Sequence, residues 1–161
     1  MNYAPSFIQK VYGTEQSIYI CSEKKDNDVE FLVHLRAKNK DLHPNCWDTR
    51  FGGHIKSGEN LEIGLINEIK EELGLNIDIS KLIEGVWRKR KNYPNCEFTK
   101  VYYLEYNNSL EELYFNDGEV QEVKWLPSSE ILNLMGENSQ QWSGSKENFN
   151  QIANFLREKI I

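Results

Sequence analysis

Several classes of protein are excluded by what this sequence of 161 residues lacks. No run of eighteen apolar residues occurs, so no membrane-spanning helix is expected. Residues 1–13 hold no basic segment followed by an apolar stretch, so no secretory leader is expected. Only three cysteines are present, Cys21, Cys46 and Cys96, and none stands at metal-ligand spacing from another. That pattern excludes a disulfide framework or a zinc knuckle and fits free thiols in the cytosol. Positive charge is in short supply too. Nineteen Lys and Arg face twenty-five Asp and Glu, a net charge of −6. A generally acidic chain is poorly suited to a nucleic-acid polymer or an anionic membrane. If it handles phosphates, metal cations should assist. Four prolines, ten glycines and no internal repeat or low-complexity tract leave an ordinary globular composition, read as one domain over residues 1–161.

What is present is a succession of short apolar segments separated by polar turns. Residues 16–21 and 29–35 read as strands joined by a hairpin turn over 23–28. Residues 37–45 are polar, contain Pro44 and should be a loop. Residues 47–55 look like a short strand broken by Gly52 and Gly53. From 59 to 73, apolar residues at 61, 65, 66, 69 and 73 follow a helical period, and Gly74 stands where a helix ends. Residues 82–91 and 98–106 form a predicted hairpin around Asn92–Asn95. Residues 119–126 alternate, with Val120, Val123 and Trp125 as inward candidates, and Ser128 or Ser129 is placed to cap a helix through Met135. Phe149, Ile152, Ala153, Leu156 and Ile160 predict a terminal amphipathic helix. The element order points to an α/β fold, a mixed sheet flanked by helices.

The chemistry lies in residues 52–75, GGHIKSGENLEIGLINEIKEELGL. Glu68, Glu71 and Glu72 stand at i, i+3 and i+4 and share an arc of roughly 100° on one helix. Leu65, Ile66, Ile69 and Leu73 lie toward the other side. Gly64 falls inside the acidic arc, one turn before Glu68. A glycine there costs about 1 kcal/mol of helix propensity against alanine, and it leaves room beside the carboxylates. Carboxylates at this spacing repel, and a hard divalent cation with oxygen ligands reverses the sign of that interaction. An acidic, solvated helix face is the alternative reading of EIKEE taken alone.

The wider segment resembles the Nudix box, GX5EX7REUXEEXGU with U aliphatic. Gly53, Glu59, Glu68, Ile69, Glu71, Glu72, Gly74 and Leu75 stand at the required spacings, with Asn67 where the family has arginine. Trp47 before the double glycine and the strand-like EVQEVKWL at 119–126 are similar to flanking features of the Nudix hydrolase superfamily. The resemblance implies a Nudix fold, a mixed β-sheet sandwiched between α-helices. It implies a hydrolase of phosphoric anhydride bonds, cleaving a nucleoside diphosphate linked to another moiety or a related small diphosphate. It implies Mg²⁺ or Mn²⁺ held by Glu68, Glu71, Glu72 and the backbone carbonyl of Gly52, with Glu68 also placed to orient the attacking water and Glu59 in support. Homodimers are frequent among relatives.

Asn67 brings no charge to the position whose arginine normally pairs with box carboxylates, and Arg36 and Arg50 are candidates to replace it. Other substrate-side candidates are His54, Arg88 in the basic run 88–91, Glu97 and Glu119, with Glu122 beside it on the late strand. Trp142 is a candidate for base stacking, though burial is the simpler reading, and His34 and His43 read as structural or solvated. Two alternatives stay open. One is a Nudix domain that binds a nucleotide without turnover, which Asn67 favours. The other is isopentenyl diphosphate isomerase, a relative that uses a cysteine on the strand before the box, where this chain has Phe51 and its nearest cysteine is Cys46.

Overall fold

The computed structural model describes residues 13–22, 28–56, 58–92, 95–115 and 117–160, without the side chains of 13, 90–92, 95–96 and 160. Among the described residues, six strands and three α-helices follow in the order β1 (Gly13–Ser22), β2 (Glu30–Arg36), β3 (Trp47–Asp48), α1 (Leu61–Leu73), β4 (Leu82–Asn92), β5 (Asn95–Glu105), β6 (Val120–Pro127), α2 (Ser128–Glu137) and α3 (Lys146–Ile160). The α/β class expected from the sequence is the class the chain forms. No helix among the described residues is long and apolar enough to cross a membrane.

The chain forms two compact units. The first takes in the chain up to Ile18, Phe51–Leu104 and Ser109–Asn116; the second takes in Tyr19–Arg50, Glu105–Asn108 and Asp117–Ile161. β1 therefore contributes its first half to one unit and its second half to the other.

In the first unit, β4 and β5 pair antiparallel from Leu82 opposite Leu104 to Asn92 opposite Asn95, with an irregularity between Glu84 and Trp87. Gly85 sits in that irregularity, and a Cβ there would stand 3.0 Å from both Val101 and Tyr103. Lys100 is buried on this hairpin, its Nζ donating to the Gly85 carbonyl at 3.0 Å and pairing with Glu84 at 3.2 Å. The predicted turn residues Tyr93 and Pro94 lie outside the described residues.

Helix α1 is the first unit's other main element. Of the predicted apolar stripe, Leu61, Leu65, Ile69 and Leu73 are fully buried and Ile66 is half-buried. Burial of each such side chain contributes about 1.5–3 kcal/mol. The helix starts two residues later than the periodicity suggested, because Asn60 caps it: its side-chain oxygen accepts from the N–H groups of Glu62 at 2.8 Å and Ile63 at 3.4 Å. Gly74 ends it at φ 68°, donating its N–H to Lys70. A Cβ at Gly74 would also come 2.6 Å from Tyr114 Cβ, while Tyr114 N–H bonds the Leu73 carbonyl. The glycine thus serves both a left-handed backbone and a close approach.

The second unit is built on β2. It pairs antiparallel with β1 at Cys21–Phe31, with β3 at His34–Asp48, and with β6 from Glu30–Pro127 to Leu35–Glu122, with a shift between Leu35 and Arg36. Phe31, Leu32 and Val33 are fully buried, and Phe149 of α3 meets Phe31 edge to face at 5.1 Å. Two local expectations change here. On β6 the deeply buried residue is Leu126, whereas Val120, Val123 and Trp125 are only half-buried. Ser128 and Ser129 do not cap α2 with their side chains. Their hydroxyls instead donate to the carboxylate of Asp28, which also accepts the Ser129 N–H at 3.4 Å. The helix start is held by a carboxylate a hundred residues earlier in sequence, a partner that local spacing does not reveal. Trp142 is buried, as the simpler reading had it, and bridges to Trp47.

Candidate active site

The site is set by how the double glycine docks on β1. Phe51 and Ile18 exchange backbone hydrogen bonds at 2.9 and 2.7 Å, Gln16 donates its N–H to the Gly53 carbonyl at 2.9 Å, and Ile55 donates to Thr14 at 2.9 Å. The segment is thereby laid along β1, and of the short broken strand expected over residues 47–55 only Trp47–Asp48 forms a strand. Glycine is required at both positions for different reasons. Gly52 has φ 123°, and a Cβ on it would lie 2.1 Å from the Gln16 carbonyl oxygen. A Cβ on Gly53 would lie 3.0 Å from both carboxylate oxygens of Glu68. The first glycine allows the backbone path and the second gives the Glu68 carboxylate its room.

Helix α1 then presents its acids to this loop. Glu72 accepts the Gly52 N–H at 2.7 Å, a charge-assisted bond that ties the end of the helix to the loop. Glu68 and Glu71 line a pocket together with Glu59, Asn67, Gly64, Lys56, Ile55, His54 and Gln16. Glu59, at the helix start, accepts the Lys56 N–H at 3.3 Å and places Oε2 3.4 Å from where a Cβ of residue 64 would be. The predicted acids Glu59, Glu68 and Glu71 therefore share one cavity with the residue that replaces the family arginine. Glu72 is placed against the loop instead.

His54 bonds Glu97 at 2.9 Å, and that bond raises the histidine pKa above its ordinary value against the opposing effect of partial burial; Glu15 and Glu68 add to the rise. Two sequence candidates thus form one pair. Arg88 lies on β4 opposite Thr99 and is not among the residues that line the pocket.

Three other candidates belong to the second unit. Arg36 and Arg50 both reach the buried carboxylate of Asp48, at 3.4 and 3.5 Å, and Arg36 also donates to the carbonyls of Leu42 and His43. Burial would raise the Asp48 pKa, but the Arg50 guanidinium and a hydrogen bond from the Arg50 N–H hold it below the usual carboxylate range. Glu119 is ion-paired with Lys40.

Three residues of the pocket, Gln16, Ile55 and Lys56, were not among the candidates. Gln16 is 1% exposed; its Nε2 donates to the Leu61 carbonyl at 2.5 Å, and its Oε1 has no hydrogen-bond partner among the described residues. An unmet buried acceptor costs about 1–3 kcal/mol. The sequence did carry a signal: Gln16 opens the short apolar run 16–21, every residue of which is buried.

Comparison with known proteins places this geometry. An uncharacterised Nudix hydrolase of Clostridium acetobutylicum is 31% identical over 143 residues, 85% of this chain and 58% of its own length. The chain thus spans little more than half of that relative. An isopentenyl-diphosphate Delta-isomerase of Brevibacterium linens is 30% identical over 143 residues, covering 84% of this chain and 76% of the relative. Among solved structures, the NUDIX domain of Shewanella oneidensis NrtR, complexed with ADP ribose, superposes with a TM-score of 0.65 at 16% identity, over 99% of this chain and 95% of that one. The sequence model of the NUDIX domain matches residues 12–145, which contain the loop, the helix and every pocket residue described above, and the chain belongs to that family.

Proposed function

We propose that the chain works as one Nudix domain, a metal-dependent hydrolase that cleaves a phosphoric anhydride bond in a small nucleoside diphosphate derivative or related organic diphosphate. The observation that carries this is the pocket in which Glu59, Glu68 and Glu71 converge with Lys56 as the one lysine or arginine on its wall. The donor set fits a hard divalent ion: several carboxylate oxygens, and a buried amide oxygen left without a partner. Glu68, Glu71 and Glu72, with Glu59 and the Gly52 carbonyl, would hold Mg²⁺ or Mn²⁺. Once bound, such an ion neutralises the diphosphate and makes a water nucleophilic at neutral pH.

The chain's own residues do the rest. Gly53 lets the Glu68 carboxylate rest against the loop, where it orients the attacking water. Gly52 N–H fixes Glu72. Lys56 carries the positive charge nearest to incoming phosphates, with Arg88 as a further candidate for them. The His54–Glu97 pair presents a histidine whose charged form is favoured, a suitable neighbour for a phosphate oxygen. Arg36 and Arg50 are assigned to holding Asp48 rather than to substrate, and Glu119 is engaged by Lys40. The net charge of −6 supports a small substrate over a nucleic-acid polymer. The free cysteines support a cytosolic setting, and a homodimer is the proposed assembly.

The isomerase relative supports a second reading. Against it, the position two residues before Gly53 is Phe51, buried and stacked on Phe115 at 6.4 Å, with no thiol. The deciding experiment incubates the protein with Mg²⁺ and a panel of nucleoside triphosphates, ADP-ribose, nucleotide sugars and isopentenyl diphosphate, and identifies the products. Anhydride cleavage that stops on chelation is expected. Isomerisation of isopentenyl diphosphate, or tight binding with no product from any member, would overturn the hydrolase.

A further inference from the structure

We propose that Gln16 is a positioning residue for the cation of this site, its Oε1 accepting a hydrogen bond from a metal-bound water that occupies the space above Gly64. The inference rests on the metal reading above and adds to it a neutral residue from β1, outside the acidic helix.

Two observations carry it. The first is the orientation of the Gln16 amide. The Leu61 carbonyl only accepts, so Nε2 must face it, and Oε1 is turned to the opposite side, into the acidic pocket that Gln16 lines. The second is Gly64. A methyl group on residue 64 would stand 3.6 Å from Gln16 Oε1 and 3.4 Å from Glu59 Oε2, so the missing Cβ leaves a space bounded by two oxygens. Glycine is costly inside a helix, and its backbone here is ordinary helix with no positive φ to explain it.

The chemistry of the occupant follows from the acceptors. Glu59, Glu68 and Glu71 accept when ionised, as does Gln16 Oε1, so the space needs donors and positive charge. The donors on the wall, Lys56, Asn67 and His54, leave Oε1 unpartnered. A water bound to a divalent cation gives both its protons to such acceptors, because its lone pair is committed to the metal. Mg²⁺ in particular keeps several waters when it binds protein.

The test measures Mn²⁺ uptake by the free-ion electron paramagnetic resonance signal, with circular dichroism melting in the absence of metal, for the wild type, Gln16→Leu, Gly64→Ala and the double variant. Removing outer-shell partners commonly weakens metal affinity about 10–100-fold. Gln16→Leu is expected to raise the Mn²⁺ dissociation constant by at least about tenfold on that scale. Gly64→Ala should do the same by filling the space, while its metal-free melting temperature holds or rises, because alanine favours the helix. The double variant should bind no more weakly than the weaker single, since both changes remove the same water. Wild-type affinity in either folded variant overturns the inference, and leaves the hydrolase proposal standing if the wild type binds Mn²⁺. A wild type that takes up no Mn²⁺ overturns both. If Gln16→Leu does not fold, Gly64→Ala alone decides.

Discussion

The two units treat their carboxylates in opposite ways. In the second, Asp48 is buried between Arg36 and Arg50, and Asp28 collects Ser128, Ser129 and Arg157. For Asp28, burial pushes the pKa up, but the hydroxyl and backbone hydrogen bonds outweigh it and hold the group at about 2. In the first unit, Glu59, Glu68 and Glu71 line a pocket whose wall carries a single lysine, and a buried amide oxygen beside them has no donor among the described residues. Asp48, buried, and Asp28, half-buried, have their donors within the second unit. The pocket acids are assembled next to one another, on a wall they share with Lys56 and His54.

Four changes sharpen that contrast, and the largest effect is expected at Glu68. Glu68→Gln should lower kcat/KM by about a thousandfold, roughly 4 kcal/mol of transition-state stabilisation, while the metal-free melting temperature holds or rises as like-charge repulsion falls. Steady-state kinetics and a melt on the same preparation check both halves. Asp48→Asn should do the reverse. Breaking a buried ion pair by removing one partner costs about 3 kcal/mol or more of stability, whereas kcat/KM per folded molecule should be unchanged. Denaturant titration read beside activity would expose a failure of either expectation.

A third effect appears in the pH dependence of stability. Burial lowers the His34 pKa to about 4 from 6.5; Asp48 opposes the shift, and Arg36 and Arg50 reinforce it. The unfolded chain therefore binds a proton that the folded chain refuses, so stability is complete above about pH 6.5 and is lost as pH falls toward 4. The loss is on the order of 3 kcal/mol at the bottom of that window. Asp28 titrates lower, between 3.8 and about 2, and stays out of it. Denaturant titrations at intervals from pH 7 to 4 should show the slope in the wild type and a flatter profile in His34→Gln. The smallest effect is expected at Asn67, an exposed pocket residue. Asn67→Arg should change kcat/KM by less than about a hundredfold in either direction, under roughly 2.7 kcal/mol, because Lys56 already supplies charge at that wall. A larger loss in a well-folded variant would show that the asparagine itself is required.

Legibility in the sequence followed the range of the interactions. Helix α1 was legible almost residue by residue, because its stripe, its acidic arc and its terminal glycine are all local features. The grouping of Glu59, Glu68 and Glu71 followed from the same helix and the box spacing. The split of Glu72 toward the Gly52 N–H did not, since a 20-residue separation and the left-handed Gly52 backbone create that bond. Arg36 and Arg50 illustrate the other limit. Sequence shows two arginines near the box and does not show that Asp48, on a strand of two residues, receives both. The role of Asp28 at the start of α2 and the unpartnered oxygen of Gln16 are likewise tertiary facts. Gln16 is the instructive case, because its place in an apolar run gave its burial but nothing local gave its neighbour Gly64.

The claim that the pocket acids are assembled for a cation, and the Asp48 cluster for the fold, is tested most directly by the shift in melting temperature on adding millimolar Mg²⁺ to three proteins. Ligand that binds only the folded state raises stability in proportion to the logarithm of its concentration over its dissociation constant. A clear rise is predicted for the wild type, a rise of similar size for Asp48→Asn from its lower starting point, and little or none for Glu68→Gln. A wild type indifferent to Mg²⁺, or an equal rise in all three, would contradict it.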